Sequence, residues 1–438
     1  MTHRWARPLA GATVAALSAL AVVVPAAAAS SAPPSPDAVT SAHGPARADH
    51  VVLLALDGFD AEYLGRAPMP HLEALLRRGS VTTSTGVMTS ITNPSWASVA
   101  TGAWPERHLN SAYWFDPVSG TAQGQQRALA VPTIAEAVRA GGGTVFSSQW
   151  FIVQDHGVSY GDPEGLYTQP GGDCSRRVDD AVAVFAGEPV SSGGEMVRAD
   201  GLPALTAVYC DALDALGHAG GDEHPGIPAA LTELDAQLGR LVQATKDAGT
   251  YGRTTFVVTG DHGMTTFDKG FAAEGLAAIA DAGYTGEVLT AGRSPAPGTD
   301  VAIVVGGVAD LTLLGDAADD PAAERRVRRA LEALPQVRAV YDDRDQRRMR
   351  MSPRHGDLVV EPEPGWSFGS TPAAPAGRHG STTELEVPLV LAGSGVLPGR
   401  HPRDPWHVDV APTIAALLGV DPPAGAQGRV LSEALRRG

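Results

Sequence analysis

Lysine is nearly absent from the chain: Lys246 and Lys269 are the only two in 438 residues, and Lys+Arg total 33 against 49 Asp+Glu. The formal charge of −16 leaves no dense cationic face to displace counterions from a phosphate backbone, so no specific nucleic-acid binding is expected. An anionic substrate would need positive charge concentrated locally, most economically by metal ions. Cysteine is equally scarce. Cys174 and Cys210 stand in neither a CxxC nor a zinc-ribbon spacing, which excludes a thiolate metal site of those kinds. Beyond the N-terminal segment no long apolar run occurs, and 43% hydrophobic with 19% charged residues excludes both a polytopic membrane protein and a disordered chain. Glycine and proline are plentiful, at 51 and 34, but below the level of a low-complexity sequence.

The N-terminus reads as a signal peptide over residues 1–29. Arg4 and Arg7 precede an apolar run from Leu9 to Pro25, followed by Ala26 to Ala29 and Ser30. The run is short and built largely of alanine, so no transmembrane anchor is expected in the mature form. A Pro-, Ala- and Ser-rich leader follows over residues 30–48. In an exported chain Cys174 and Cys210 have only each other as an intramolecular partner; a disulfide and two buried thiols are the alternatives.

Residues 51–56, VVLLAL, are continuously apolar, as suits a parallel strand covered on both faces. Further strands are expected at 143–148, 204–210, 254–259 and 387–392, and helices at 71–78, 91–101, 133–139, 227–247 and 410–418. This alternation predicts a doubly wound, mostly parallel α/β sheet flanked by helices. Between 270 and 377 the texture changes to shorter strands (301–305 and 357–360) around a charged helix, 322–334. We read 49–269 with 378–438 as the catalytic core and 270–377 as an inserted, smaller α+β subdomain.

Ligands of open α/β sheets gather at the carboxyl ends of strands. Asp57 closes the first strand, Asp214 and His218 follow Cys210, and Asp261 and His262 follow the strand ending at Thr259. His379 sits in a glycine-flanked loop before the last apolar strand. Each alone is an ordinary turn or surface residue. Their repetition is informative, because carboxylates and imidazoles at one sheet edge repel or compete unless a cation organises them. Three carboxylates and three imidazoles exceed what one tetrahedral zinc takes, and without thiolates they suit zinc, although manganese and iron accept the same donors. Thr92 begins a Pro-initiated helical pattern. There it either caps the helix or serves as a nucleophile activated by the helix N-terminus and a metal.

Together, Leu56-Asp57-Gly58, the block from Thr92-Asn93-Pro94 to Thr101-Gly102 with Pro105-Glu106-Arg107-His108, Asp214-x-x-x-His218, Asp261-His262-Gly263-Met264 and Gly377-Arg378-His379-Gly380 resemble the alkaline phosphatase superfamily. Within it the chain is most similar to the type I phosphodiesterase and nucleotide pyrophosphatase branch, in order from Val51 to the His407–Thr413 segment. The resemblance implies two zinc ions per chain. Asp57, Thr92, Asp261 and His262 would hold one, and Asp214, His218 and His379 the other. It also implies an in-line attack by Thr92 on a small phosphate ester, possibly a nucleotide, to form a phospho-threonine that water then hydrolyses. A phosphomonoesterase of the same superfamily and a catalytically silent metal-binding surface protein are the competing readings.

The pattern departs from the family in one segment. Relatives carry an asparagine that donates to a non-bridging phosphate oxygen. Here the stretch runs one residue short, Ala112 falls at that position, and Asn110 is the expected substitute. Phosphonoacetate hydrolases share Thr-Asn-Pro but use lysines that Ser147-Ser148-Gln149-Trp150 does not supply, and sulfatases carry a different nucleophile motif. A monoesterase would want an added cation, for which Arg176 and Arg177 are candidates. Trp96, Trp114, Trp150 and Phe151 are placed either at the pocket rim or in the core, and His407 is expected to brace the last helix with Asp409.

Overall fold

The computed structural model describes residues 47–437. The expected signal peptide and nearly all of the expected leader lie outside them. No helix among the described residues is long and apolar enough to cross a membrane.

Seven strands form the central sheet: β1 (His50–Leu56), β2 (Gly79–Thr85), β3 (Val145–Ser148), β4 (Gly165–Thr168), β5 (Leu205–Cys210), β6 (Thr254–Gly260) and β7 (Glu386–Gly393). Their order is β2-β7-β6-β1-β5-β3-β4. The pairs from β6 to β4 are parallel, and β7 runs antiparallel to both β6 and β2. All residues of β1 are buried, which its unbroken apolar sequence requires of a strand covered on both faces. Val51, Leu53 and Ala55 enter one core with the helix Val410–Leu418, while Val52, Leu54 and Leu56 enter the other with the helix Ile227–Asp247. Each such Val or Leu stabilises the fold by about 1.5–3 kcal/mol relative to its exposed state.

Register decides what happens at the carboxyl edge. Leu56 pairs with Cys210 on one side and Gly260 on the other, so β1, β5 and β6 end level. Asp57, Asp211 and Asp261 therefore leave the sheet side by side. β2 also reaches this edge with its carboxyl end, and the antiparallel β7 starts there, which delivers the segments carrying Thr92 and His379 to the same place.

A second sheet of five strands, in the order Gly286–Leu289, Val301–Gly306, Val308–Leu313, Leu358–Pro362 and Val337–Asp342, packs with the helices Ala272–Asp281 and Ala323–Glu332. The hairpin turn between its second and third strands presses on the loop that carries His379. A Cβ on Gly307 would lie 1.7 Å from the His379 carbonyl oxygen, so only glycine fits there, and its φ of +93° demands the same.

The two edge strands of the central sheet, β2 and β4, carry no apolar run and are absent from the sequence reading. β2 is Gly-Ser-Val-Thr-Thr-Ser-Thr, and the 399–406 segment covers part of its outer edge, the Gly399 N–H donating to the Gly79 carbonyl and the Thr85 N–H to the Pro405 carbonyl. Cys174 and Cys210 are bridged, with Cα atoms 5.0 Å apart. The bridge ties the N-terminus of the helix Cys174–Phe185 to the end of β5.

Candidate metal centre

Two groups of ligand-type side chains form at the carboxyl edge: Asp57, Asp261 and His262, and Asp214, His218 and His379. In the first, His262 Nε2 lies 3.4 Å from Asp57 Oδ1 and 3.3 Å from Asp261 Oδ2. In the second, Asp214 Oδ1 lies 3.3 Å from His218 Nε2 and 3.5 Å from His379 Nε2. The groups adjoin. The rings of His262 and His379 stack with centroids 3.5 Å apart, and the Asp214 N–H donates to the Asp57 carbonyl at 3.2 Å. Gly58 permits that approach, since a Cβ there would meet the Asp214 backbone at 2.9 Å.

All three imidazoles are oriented alike. His262 Nδ1 faces the Gly263 carbonyl at 3.0 Å, His218 Nδ1 the Gly377 carbonyl at 3.1 Å, and His379 Nδ1 the Ser90 carbonyl at 2.9 Å. A carbonyl only accepts, so each Nδ1 carries the proton and each Nε2 turns its lone pair toward the carboxylates. Asp57 Oδ1, Asp214 Oδ1 and Asp261 Oδ2 are buried without a hydrogen-bond donor among the described residues. Orphaned carboxylate oxygens facing imidazole lone pairs repel one another, and a divalent cation satisfies both. The donor set fits zinc in each group.

Burial pushes Asp57 well above the usual carboxylate range, and the Asp261 and Asp214 charges add to it. Burial raises Asp261 in the same way and holds His262 well below the ordinary imidazole value. Asp57 Oδ2 accepts a hydrogen bond from the Tyr209 hydroxyl. Burial and Asp57 push the Tyr209 phenol far upward, so it stays a donor.

The helix Thr92–Thr101 starts beside these groups, with Ile91 at the capping position and no side-chain cap. Thr92 therefore does not cap it. Its hydroxyl instead lies 3.2 Å from His262 Nε2, to which it donates, at the positive end of the helix. A cleft of about 500 Å³ opens over Asp57, Thr92 and Asp214, walled by Asn93, Gln125, Gln126, Arg127, Phe151 and Tyr209. His218 is half exposed, whereas the Asp57, Asp261 and His262 group is buried.

Asn110 is not presented to the cleft. Its Nδ2 donates to the Gln126 and Ala128 carbonyls at 2.8 and 3.1 Å, which uses both of its N–H bonds. It braces the cleft wall instead of supplying the expected oxyanion donor. Ala112 is buried outside the lining as well. Arg177 is buried and paired in bidentate fashion with Asp211, both contacts at 3.0 Å, while Arg176 is exposed beside Asp179. Trp96 and Trp150 are fully buried and Trp114 nearly so; of the four aromatics only Phe151 lines the cleft. Among the described residues His407 has no partner on either ring nitrogen, and Asp409 instead accepts from the Trp406 and Arg429 backbones. The sequence reading missed Tyr209, Gln125, Gln126 and Arg127. The only available signal was the amide-rich run Gly124-Gln125-Gln126-Arg127 after the hairpin Trp114–Gln123.

Fold and site together define a mostly parallel α/β protein whose sheet edge carries two adjoining Asp/His ligand groups beside a helix-terminal hydroxyl. The chain belongs to the type I phosphodiesterase / nucleotide pyrophosphatase family, whose profile matches residues 51–382. It is 28% identical over 229 residues to an uncharacterised pyrophosphatase/phosphodiesterase of Schizosaccharomyces pombe, covering 49% of this chain and 44% of that one. It is 26% identical over 231 residues to a bis(5'-adenosyl)-triphosphatase of Xenopus laevis, covering 49% and 47%. The match thus spans about half the length of these relatives. The fold superimposes on murine ectonucleotide pyrophosphatase / phosphodiesterase 5 with a TM-score of 0.65 at 19% identity, covering 85% of this chain and 95% of that one. An inactive form of the murine protein, with a threonine-to-alanine change, has been solved in complex with AMP at the same TM-score.

Proposed function

We propose that the protein is an exported, dizinc phosphoric ester hydrolase, a phosphodiesterase or nucleotide pyrophosphatase that works through a phospho-threonine intermediate. The observation that carries this reading is the Thr92 hydroxyl, 3.2 Å from His262 Nε2 and at the mouth of two adjoining ligand groups. Asp57, Asp261 and His262, with Thr92, would hold one zinc, and Asp214, His218 and His379 the other. Bound zinc supplies charge neutralisation for the transferred phosphoryl group and lowers the pKa of hydroxyl and water. Thr92 Oγ1 gives up its proton to solvent and attacks phosphorus, while the ester oxygen opposite leaves with its bonding electrons and takes up a proton; water then bonds to phosphorus, the P–Oγ1 bond breaks, and Oγ1 regains a proton. The start of the Thr92–Thr101 helix turns positive backbone charge toward the cleft, which favours an anion there. Tyr209 and the three Nδ1 bonds to carbonyls hold the ligands in place. The Cys174–Cys210 bridge supports an oxidising compartment and, with the Arg4-to-Ser30 pattern, export.

The zinc-loaded protein is expected to cleave bis-p-nitrophenyl phosphate, to lose turnover on chelation and to recover it on zinc addition. Chelation that leaves the rate unaltered overturns the metal assignment, and absence of turnover in the loaded protein overturns the enzyme.

A further inference from the structure

Of the side chains lining the cleft, Arg127 alone carries a permanent positive charge. It is exposed, its guanidinium lies 5.0 Å from the centroid of the Phe151 ring, and its Nη1 donates to Gln154 Oε1 at 2.9 Å. Among the described residues no carboxylate lies within 4.0 Å of it, in contrast to Arg177, whose charge Asp211 matches. Asp211 also lines the cleft, and its carboxylate is already paired with Arg177. The segment before Arg127 is held firmly: the Gln126 carbonyl accepts from the side-chain amides of Asn93 and Asn110. Phe151 in turn packs edge-on against Tyr209 at 5.3 Å, and Tyr209 bonds to Asp57. A continuous set of contacts therefore places this cation along the wall of the proposed reaction site.

Two divalent ions and a helix N-terminus suffice for the single charge of a simple phosphodiester. A substrate with a further anionic oxygen needs one more cation, and a guanidinium supplies charge and paired donors in fixed geometry. We propose that Arg127 is the charge-specificity residue of this cleft, binding an anionic phosphoryl oxygen beyond those held at the metal centre. That oxygen belongs either to the terminal dianion of a monoester or to the outer phosphate of a pyrophosphate. The assignment rests on the function proposed above.

The test compares the zinc-loaded parent with Arg127→Gln and Arg127→Lys on p-nitrophenyl phosphate, ATP and bis-p-nitrophenyl phosphate, alongside calorimetric binding of AMP and of inorganic pyrophosphate. For Arg127→Gln, kcat/KM for at least one of the first two substrates, taken as a ratio to that for the bis-ester, is expected to fall threefold or more. Arg127→Lys should recover part of that ratio. A fall confined to p-nitrophenyl phosphate assigns the terminal oxygen, and one confined to ATP the outer phosphate. Ratios moving less than threefold, as when all three substrates suffer equally, overturn the proposal, as does a Lys variant no better than Gln. Should the parent turn over none of the three, the proposed function fails and binding decides alone: AMP or inorganic pyrophosphate held at least threefold more weakly by Arg127→Gln upholds the anion site, and equal affinity for both removes it.

Discussion

Replacing Tyr209 by phenylalanine removes one oxygen and, with it, the donor to Asp57 Oδ2. The ring's surroundings should persist, because Trp96 and Phe151 contact it edge-on at 6.2 and 5.3 Å through carbon. A hydrogen bond to an ionised carboxylate is worth about 1.5–3 kcal/mol, and tenfold in affinity corresponds to about 1.4 kcal/mol. The expected loss in zinc affinity is therefore roughly 10- to 100-fold, the range typical of outer partners of metal ligands. Burial holds the phenol protonated, so the effect should persist across the pH range in which zinc binds. Competition with a chromophoric chelator measures it, with circular dichroism to check the fold. If Tyr209→Phe binds zinc within threefold of the parent, Asp57 does not depend on this donor and the proposed support for the centre is wrong.

Thr92→Ala should keep both zinc ions, as counted by atomic absorption, yet lose on the order of 10³-fold or more in turnover, because the proposed nucleophile is gone while the other ligands remain. Ordinary turnover would remove Thr92 from the mechanism. The Cys174–Cys210 bridge closes a loop with a sequence separation of 36. Replacing both cysteines by alanine should cost about 3–4 kcal/mol in urea unfolding on chain-entropy grounds, and a loss under 1 kcal/mol would refute that estimate. Burial lowers His108 to about 3, and its ring is bonded between Ser98 and the Asn110 N–H. A depressed folded-state value means that its stability contribution is complete above the unfolded pKa near 6.5 and is lost as pH falls toward 3. Between pH 7 and 5 that loss is about 2 kcal/mol, so the parent should lose this much more than His108→Gln over the same interval in urea melts. Parallel losses in the two proteins would show that His108 does not titrate as argued.

The strand ends and the ligand types were legible because both follow from local rules. An unbroken apolar run such as VVLLAL announces a strand covered on both faces, and a polar residue closing it announces the functional edge. The edge strands β2 and β4 escaped that rule since one is polar and the other only four residues long. Asn110 was misplaced for a different reason. A segment shortened by one residue can realign its backbone, and the Asn110 amide then meets the Gln126 and Ala128 carbonyls before it can meet a substrate. The arginines show the same limit: Arg177 looked available in sequence, but Asp211, 34 residues away, claims it.

Sequence alone determined which side chains stand at the carboxyl ends of β1, β5 and β6, and hence the chemistry on offer: carboxylates, imidazoles and one hydroxyl. Tertiary structure decided their register, which brings Leu56, Cys210 and Gly260 level, and their orientation, since three Nδ1 bonds to distant or neighbouring carbonyls turn every Nε2 inward. It also decided which cation is spent in an ion pair and which one stands free at the cleft. The physical reason is that residue type is a local property. Desolvation, pairing and lone-pair direction depend on whatever the folded chain sets within a few ångströms.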